Sequence, residues 1–291
     1  MTVALSFFFL GVVAIESFLY AIRWYELSSR RYEPGSTWLR AIFSNRMRPL
    51  RTFARECFFS IVYIISFIVG ALAGLFRGGR SSQDFSKKTM VETKPVIVLI
   101  HGYMAKPAMF WLMRLRLRLR RIPNVLTFGY RSSGKDFEDY RDRLRDFMLK
   151  VRAETGITGV VLVGHSLGGV IAFEYAAEYG KDGDVKGVAA MASPFRGSRL
   201  ASFGITSLER FLHPQNPAFA KIIRTRINAP FISVYSKYDQ LVEPYTNSEH
   251  PMADENIVTD SCGHAGFYFD GKVFKSILNF IKEIEASGSR N

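Results

Sequence analysis

The chain has 291 residues, 48% of them hydrophobic and 14% aromatic, which excludes a disordered polypeptide and leaves room for one large domain or two small ones. Its net charge of +13 raises the question of a nucleic-acid partner, but no nucleic-acid motif accompanies the charge. A basic face beside apolar segments is explained more simply by anionic lipid headgroups.

Two apolar runs come first. Val3 to Ile22 and Cys57 to Phe76 each hold about 20 residues, enough to cross a hydrocarbon core as a helix. The second is uncharged, whereas the first contains Glu16, an acid that is costly in lipid unless it faces a partner helix or lies near the interface. The first run has no basic stretch before it, so an uncleaved anchor fits better than a signal peptide. Between them lie Arg23, Arg30, Arg31, Arg40, Arg46, Arg48, Arg51 and Arg55 against only Glu26, Glu33 and Glu56. By the positive-inside rule this loop is cytoplasmic, which puts both termini and the remainder of the chain on the extracytoplasmic, periplasmic side. Arg77, Arg80, Lys87 and Lys88 flank the second run and pull the other way. Within the loop, Trp38, Leu39, Ile42 and Phe43 fit either a short helix on an anionic lipid surface or a solvated linker. The expected organisation is an anchor over 1–76, a linker over 77–94 and a folded domain over 95–291.

In that domain strands and helices alternate. Val96–Ile100 is a continuous apolar strand, as expected where both sheet faces are covered, and Val125–Phe128 is a second. Phe137 to Ala153 is a charged amphipathic helix with Leu144, Phe147, Met148 and Val151 on one face. Further strands are expected at Gly159–Val163, Val185–Met191, Phe231–Tyr235 and Asn256–Thr259. A closing helix spans Lys272 to Ala286 with Phe274, Ile277, Ile281 and Ile284 in a stripe. This alternation implies an α/β fold, a mostly parallel sheet with helices on both faces. Met113 to Arg121 alternates Leu with Arg like a strand, but its place after the first strand favours a helix coated by five arginines, either a solvated face or an attractor of anionic phospholipid. Leu200 to Ile223, with Phe203, Ile205, Leu208, Phe211, Leu212, Phe219 and Ile222, suits a lid or a core-packing helix pair. Cys57 and Cys262 are too few for a disulfide framework and are not expected to pair.

The chemistry centres on Gly164-His165-Ser166-Leu167-Gly168-Gly169, which follows an apolar strand and opens a helix. A serine at such a sharp turn is placed as a nucleophile, and a Cβ at Gly164 or Gly168 would collide with the neighbouring strand or helix. A serine hydroxyl needs an imidazole as general base and a carboxylate to orient it. Of five histidines, His264 follows the last strand among small residues and is the preferred base. His101 and His165 sit inside turn motifs as structural neighbours, and surface positions suffice for His213 and His250. Asp239, directly after the fifth strand, is the preferred acid over Glu243, Asp254 and Asp260. The backbone amides of Leu167, at the helix start, and Tyr103, in the turn after the first strand, would hold an oxyanion.

Three motifs in order, Ile97 to Tyr103, Val163 to Gly169 and Ala192 to Ser198, resemble the α/β-hydrolase superfamily, most nearly bacterial triacylglycerol lipases and related membrane-linked acyl hydrolases. The third departs from the lipase pattern at Ser193 and Phe195-Arg196. The resemblance covers roughly Pro95 to Ala286. It implies a serine hydrolase acting on carboxylic esters, without a cofactor and often with a mobile lid; the two apolar runs add a membrane anchor, and tethering to a bilayer favours lipid-like substrates. Some such enzymes bind calcium near the histidine, but no acidic cluster here supports a metal site. Acyl transfer, thioester cleavage and a non-catalytic membrane interaction protein are the alternatives.

Overall fold

Val96–Ile100 (β1), Val125–Phe128 (β2), Val160–His165 (β3), Val185–Met191 (β4), Phe231–Ser236 (β5) and Glu255–Thr259 (β6) form one sheet in the order β2-β1-β3-β4-β5-β6. Every pairing is parallel. The computed structural model describes residues 2–29, 47–76, 90–130, 137–157, 159–180, 183–203 and 212–288. The expected strands are all present, with β3 and β5 reaching further toward their carboxyl ends than the apolar runs alone suggested.

The apolar runs are buried because both faces of the sheet are covered. Successive strand residues point to opposite faces. Val96, Val98 and Ile100 of β1 therefore join one core, with Tyr140, Leu144, Met148 and Val151 of the helix Phe137–Thr155 and Val170, Ile171 and Phe173 of the helix Leu167–Tyr179. Ile97 and Leu99 join the other core, with Met113 and Leu117 of the helix Trp111–Leu119 and Ile277 and Ile281 of the helix Gly271–Gly288. Numbered in chain order, Thr2–Ser29 is α1, Met47–Phe76 is α2, Trp111–Leu119 is α3, Phe137–Thr155 is α4 and Leu167–Tyr179 is α5. Pro217–Ile222 is α6 and Gly271–Gly288 is α7. Burying Ile277 and Ile281 in full contributes about 1.5–3 kcal/mol each.

The Leu-Arg alternation of 113–121 folds as a helix, α3, not a strand. Its arginines do not all face outward: Arg116 is half-buried, donates to the carbonyls of Phe269 and Asp270 at 2.9 and 3.4 Å, and lies over the Phe274 ring. Trp111, Leu115 and Leu119 form an exposed apolar stripe. Of the 200–223 stretch, 204–211 lie outside the described residues, while Phe219 and Ile222 pack into the first core. The possible interfacial helix at Trp38 to Phe43 and most of the 77–94 linker also lie outside them.

The helices α1 and α2 contain apolar stretches, Ser6–Arg23 and Leu50–Leu72, long and apolar enough to cross a membrane. The second begins earlier than the uncharged run at Cys57 indicated, taking in Arg55 and Glu56, because both charges are satisfied by the folded domain. Arg55 pairs with Asp270 at 2.8 Å, and Glu56 accepts backbone N–H groups. The helix pair packs on the domain itself. Phe59, Val62, Tyr63 and Phe67 lean on the second core, the Trp111 indole N–H donates to Ser66 Oγ at 3.2 Å, and the Tyr20 hydroxyl donates to the Tyr238 carbonyl at 3.2 Å. Phe7, Leu10, Phe18, Phe58, Ile65 and Ile68 face outward and are exposed.

Candidate active site

The strand order reverses between β1 and β3, and in open parallel sheets the crevice beyond the carboxyl ends of such neighbours is where ligands bind. Two turns meet there: His101-Gly102-Tyr103 after β1 and His165-Ser166-Leu167 after β3. Ser166 has φ 54° and ψ −124°, a strained conformation for a residue with a Cβ. The flanking glycines permit it. A Cβ at Gly164 would stand 2.3 Å from the Gly168 oxygen and the Gly169 nitrogen of α5, and one at Gly168 would stand 2.2 Å from the Ile100 oxygen at the end of β1.

The imidazole of His264 meets the acid favoured from sequence. Its Nδ1 lies 2.9 Å from Asp239 Oδ2 and 3.0 Å from Oδ1, both groups buried. Asp239 is fixed in turn by the N–H groups of Leu241 and Val242, each donating to Oδ1 at 2.9 Å. Two of the rivals are occupied elsewhere, Asp254 accepting the Phe231 N–H at 2.7 Å and Asp260 pairing with Lys272 at 3.5 Å, and the third, Glu243, is buried. Burial by itself would lower the His264 pKa, but the adjacent Asp239 charge and its hydrogen bond outweigh this and hold it above the ordinary value.

The other histidines separate clearly. His101 is buried, stacks on Tyr130 with ring centres 4.3 Å apart, and burial pushes its pKa down to about 4. His165 is driven well down by burial and by neighbouring His264, whose carbonyl it contacts through Nε2 at 3.1 Å. Both are structural neighbours, as expected. His250 is not at the surface: it is fully buried among Phe173, Phe195 and Phe231, with Nε2 3.1 Å from the Ile222 carbonyl, and burial lowers its pKa to about 4. Its polar sequence neighbours concealed an aromatic cage assembled from a helix, a loop and a strand distant in the chain. His213 is half-buried.

Ser166, His264 and Tyr103 line one cavity of about 340 Å³. Leu167, whose amide opens α5, is next to Ser166 and buried. The turn carrying Tyr103 is braced by two tyrosines. The Tyr130 hydroxyl donates to the His101 carbonyl at 2.7 Å, and the Gly102 N–H donates to the Tyr268 hydroxyl at 3.3 Å. Ser198, from the third motif, donates to the Leu241 carbonyl at 2.6 Å and accepts the Glu243 N–H at 3.0 Å, so that motif buttresses the Asp239 loop.

Much of the cavity's far wall belongs to the N-terminal helices. Val12, Ile15, Glu16 and Leu19 come from α1, and Ser60, Tyr63 and Ile64 from α2. Local patterns pointed to the serine, acid and base. They gave no sign of Tyr130, Tyr268 or Gln240, which act through contacts between segments far apart in the chain, and they marked Ser198 only as part of a motif, without its tie to the Asp239 loop. For the helix pair the one signal was Glu16, an acid in an otherwise apolar run. Among the described residues no cluster of His, Cys, Asp and Glu is suited to a metal ion.

A family model described as the alpha/beta hydrolase family matches residues 97–255. Among solved structures, the product of gene lin2722 from Listeria innocua gives a TM-score of 0.51 at 18% identity, over 65% of this chain and 94% of that one. The mature form of the Bacillus licheniformis lipase BlEst2 gives 0.57 at 14% identity, over 66% and 93%. At these identities the likeness is one of fold. No curated protein matches the chain in sequence.

Proposed function

We propose, because the chain belongs to the alpha/beta hydrolase family, that it is a membrane-anchored serine hydrolase cleaving carboxylic esters of lipids. The observation that carries this reading is that His264, held by Asp239 at 2.9 Å, lines the same cavity as Ser166 at its strained turn. Ser166 Oγ attacks the ester carbonyl while His264 Nε2 takes its proton, and Asp239 holds the Nδ1–H tautomer and stabilises the imidazolium. The Leu167 and Tyr103 amides receive the oxyanion, each such donor lowering the barrier by about 3 to 4 kcal/mol. His264 then returns the proton to the leaving alcohol, and water, activated by the same imidazole, releases the acyl group from Ser166. Apart from the attacking water, the nucleophile, base, acid and oxyanion donors of this reading are all the chain's own groups.

Two features favour a lipid. Ile15, Leu19 and Ile64 present an apolar wall to an acyl chain, and the outward face of the helix pair is continuous apolar surface suited to a bilayer. A lipid dissolved in that bilayer is held at high effective concentration beside the site. The test is turnover of short- and long-chain acyl esters by the reconstituted full chain, with fluorophosphonate labelling and Ser166→Ala alongside. Hydrolysis and labelling of the wild type alone are expected. Equal turnover by Ser166→Ala would reject the assignment.

A further inference from the structure

We propose that Glu56, on α2, is a positioning residue that holds the loop of His264, making the membrane helix pair part of the catalytic unit; the inference rests on the serine-hydrolase reading above. The segment from Ser261 to Gly266 runs from just beyond β6 into a short helical turn, Ala265–Tyr268, and no strand or helix satisfies the amides of Gly263, His264 and Ala265. Side chains do so instead. Gly263 N–H donates to Glu56 Oε2 at 2.9 Å, His264 N–H to Gln240 Oε1 at 2.9 Å, and Ala265 N–H to Glu56 Oε1 at 2.7 Å. Three consecutive amides centred on the base are thus held by two side chains, and Glu56 takes the outer two.

The same cluster joins the loop of the base to the loop of the acid. Gln240 directly follows Asp239, and its Nε2 donates to Glu56 Oε1 at 3.2 Å and to Glu16 Oε2 at 2.9 Å, while Ser60 Oγ donates to Glu16 Oε1. Each carboxylate therefore has donors around it, which an acid in an apolar helix requires. The fit is close: a Cβ at Gly263 would come within 2.6 Å of Glu56 Cδ and 2.5 Å of Gln240 Oε1. Glu56 is fully buried, whereas its neighbour Arg55 is tied separately to Asp270. A helix that only anchored the domain would need the second kind of contact and not the first.

The experiment compares full-length wild type, Glu56→Ala, Glu56→Gln and Arg55→Ala in vesicles, reading kcat, KM, fluorophosphonate labelling rate and amide exchange across 261–266. Displacement of a base by about 1 Å costs on the order of 100-fold in rate. Glu56→Ala is therefore expected to lower kcat and labelling by about 10- to 100-fold with KM little changed, and to speed exchange at Gly263 and Ala265. Glu56→Gln should fall between, because its amide oxygen keeps the Ala265 bond while its amino group faces the Gly263 donor. Arg55→Ala, which removes a different tie of the same helix, should leave kcat near wild type. Unchanged kcat and exchange in both Glu56 variants, with an active wild type, would overturn the proposal alone. So would equal losses in Arg55→Ala and Glu56→Ala, which mean general loosening of the helix. If Glu56→Ala does not fold, wild-type exchange and kcat in Glu56→Gln overturn it. A wild type that neither turns over ester nor takes the label removes the hydrolase reading and this inference with it.

Discussion

A positive φ at Ser166 is tolerated because Gly164 and Gly168, which have no Cβ, leave room for the tight turn around it. Gly168→Ala would drive a Cβ into backbone atoms at the end of β1, which cannot yield as a side-chain tip would. We expect a loss of stability on the order of 3 kcal/mol, read as a lower thermal midpoint, together with loss of labelling at Ser166. The Asp239–His264 pair sets a pH dependence of definite sign. The base must be neutral to accept a proton, so labelling should rise with pH, with a midpoint above the ordinary histidine value of about 6.5. Asp239→Asn should move that midpoint down and lower the rate by about 10⁴-fold. The stabilisation that charged His264 draws from Asp239 is full below about pH 6.5 and is lost as pH rises through the elevated folded value.

At the scale of elements, α3 shows one helix divided between two tasks. Met113 and Leu117 enter the second core, Arg116 ties α3 to the segment before α7, and Arg114 and Arg118 stay at the surface. Arg116→Ala should therefore lower the thermal midpoint with little change in lipid preference. Arg118→Gln should do the reverse, weakening the preference for vesicles rich in anionic lipid by about 1 kcal/mol, roughly fivefold. A vesicle assay varying the anionic fraction separates the two, and identical behaviour would contradict the division. The pair α1 and α2 is likewise two-sided: one side carries Glu16, Glu56, Ser60 and Tyr63 toward the domain, the other exposes Phe7, Phe18, Phe58 and Ile65.

At the scale of the molecule, the cavity is built by two parts of the chain that look separate in sequence, since Ser166 and His264 face a wall made by the N-terminal helices. Substrate length should therefore be governed from α2. Filling the cavity with Ile64→Trp is expected to lower kcat/KM for long acyl esters by about 10-fold while sparing short ones, because a pocket of this kind discriminates by the apolar length it can bury. Equal effects on both would mean that Ile64 does not meet the acyl chain.

What repeats locally was legible from neighbouring residues alone. Apolar runs bounded by turns located all six strands, the 3.6-residue stripe located α7, and the glycine spacing around Ser166 marked the strained turn. Those signals are properties of neighbouring residues, so they survive without the fold. Tertiary structure decided what depends on contacts between distant segments: that His250 is buried, that Arg116 serves packing, and that Glu56 meets the amides of Gly263 and Ala265 more than two hundred positions away. A single acid in an apolar helix declares that it needs donors, but which donors satisfy it follows only when the chain has closed on itself.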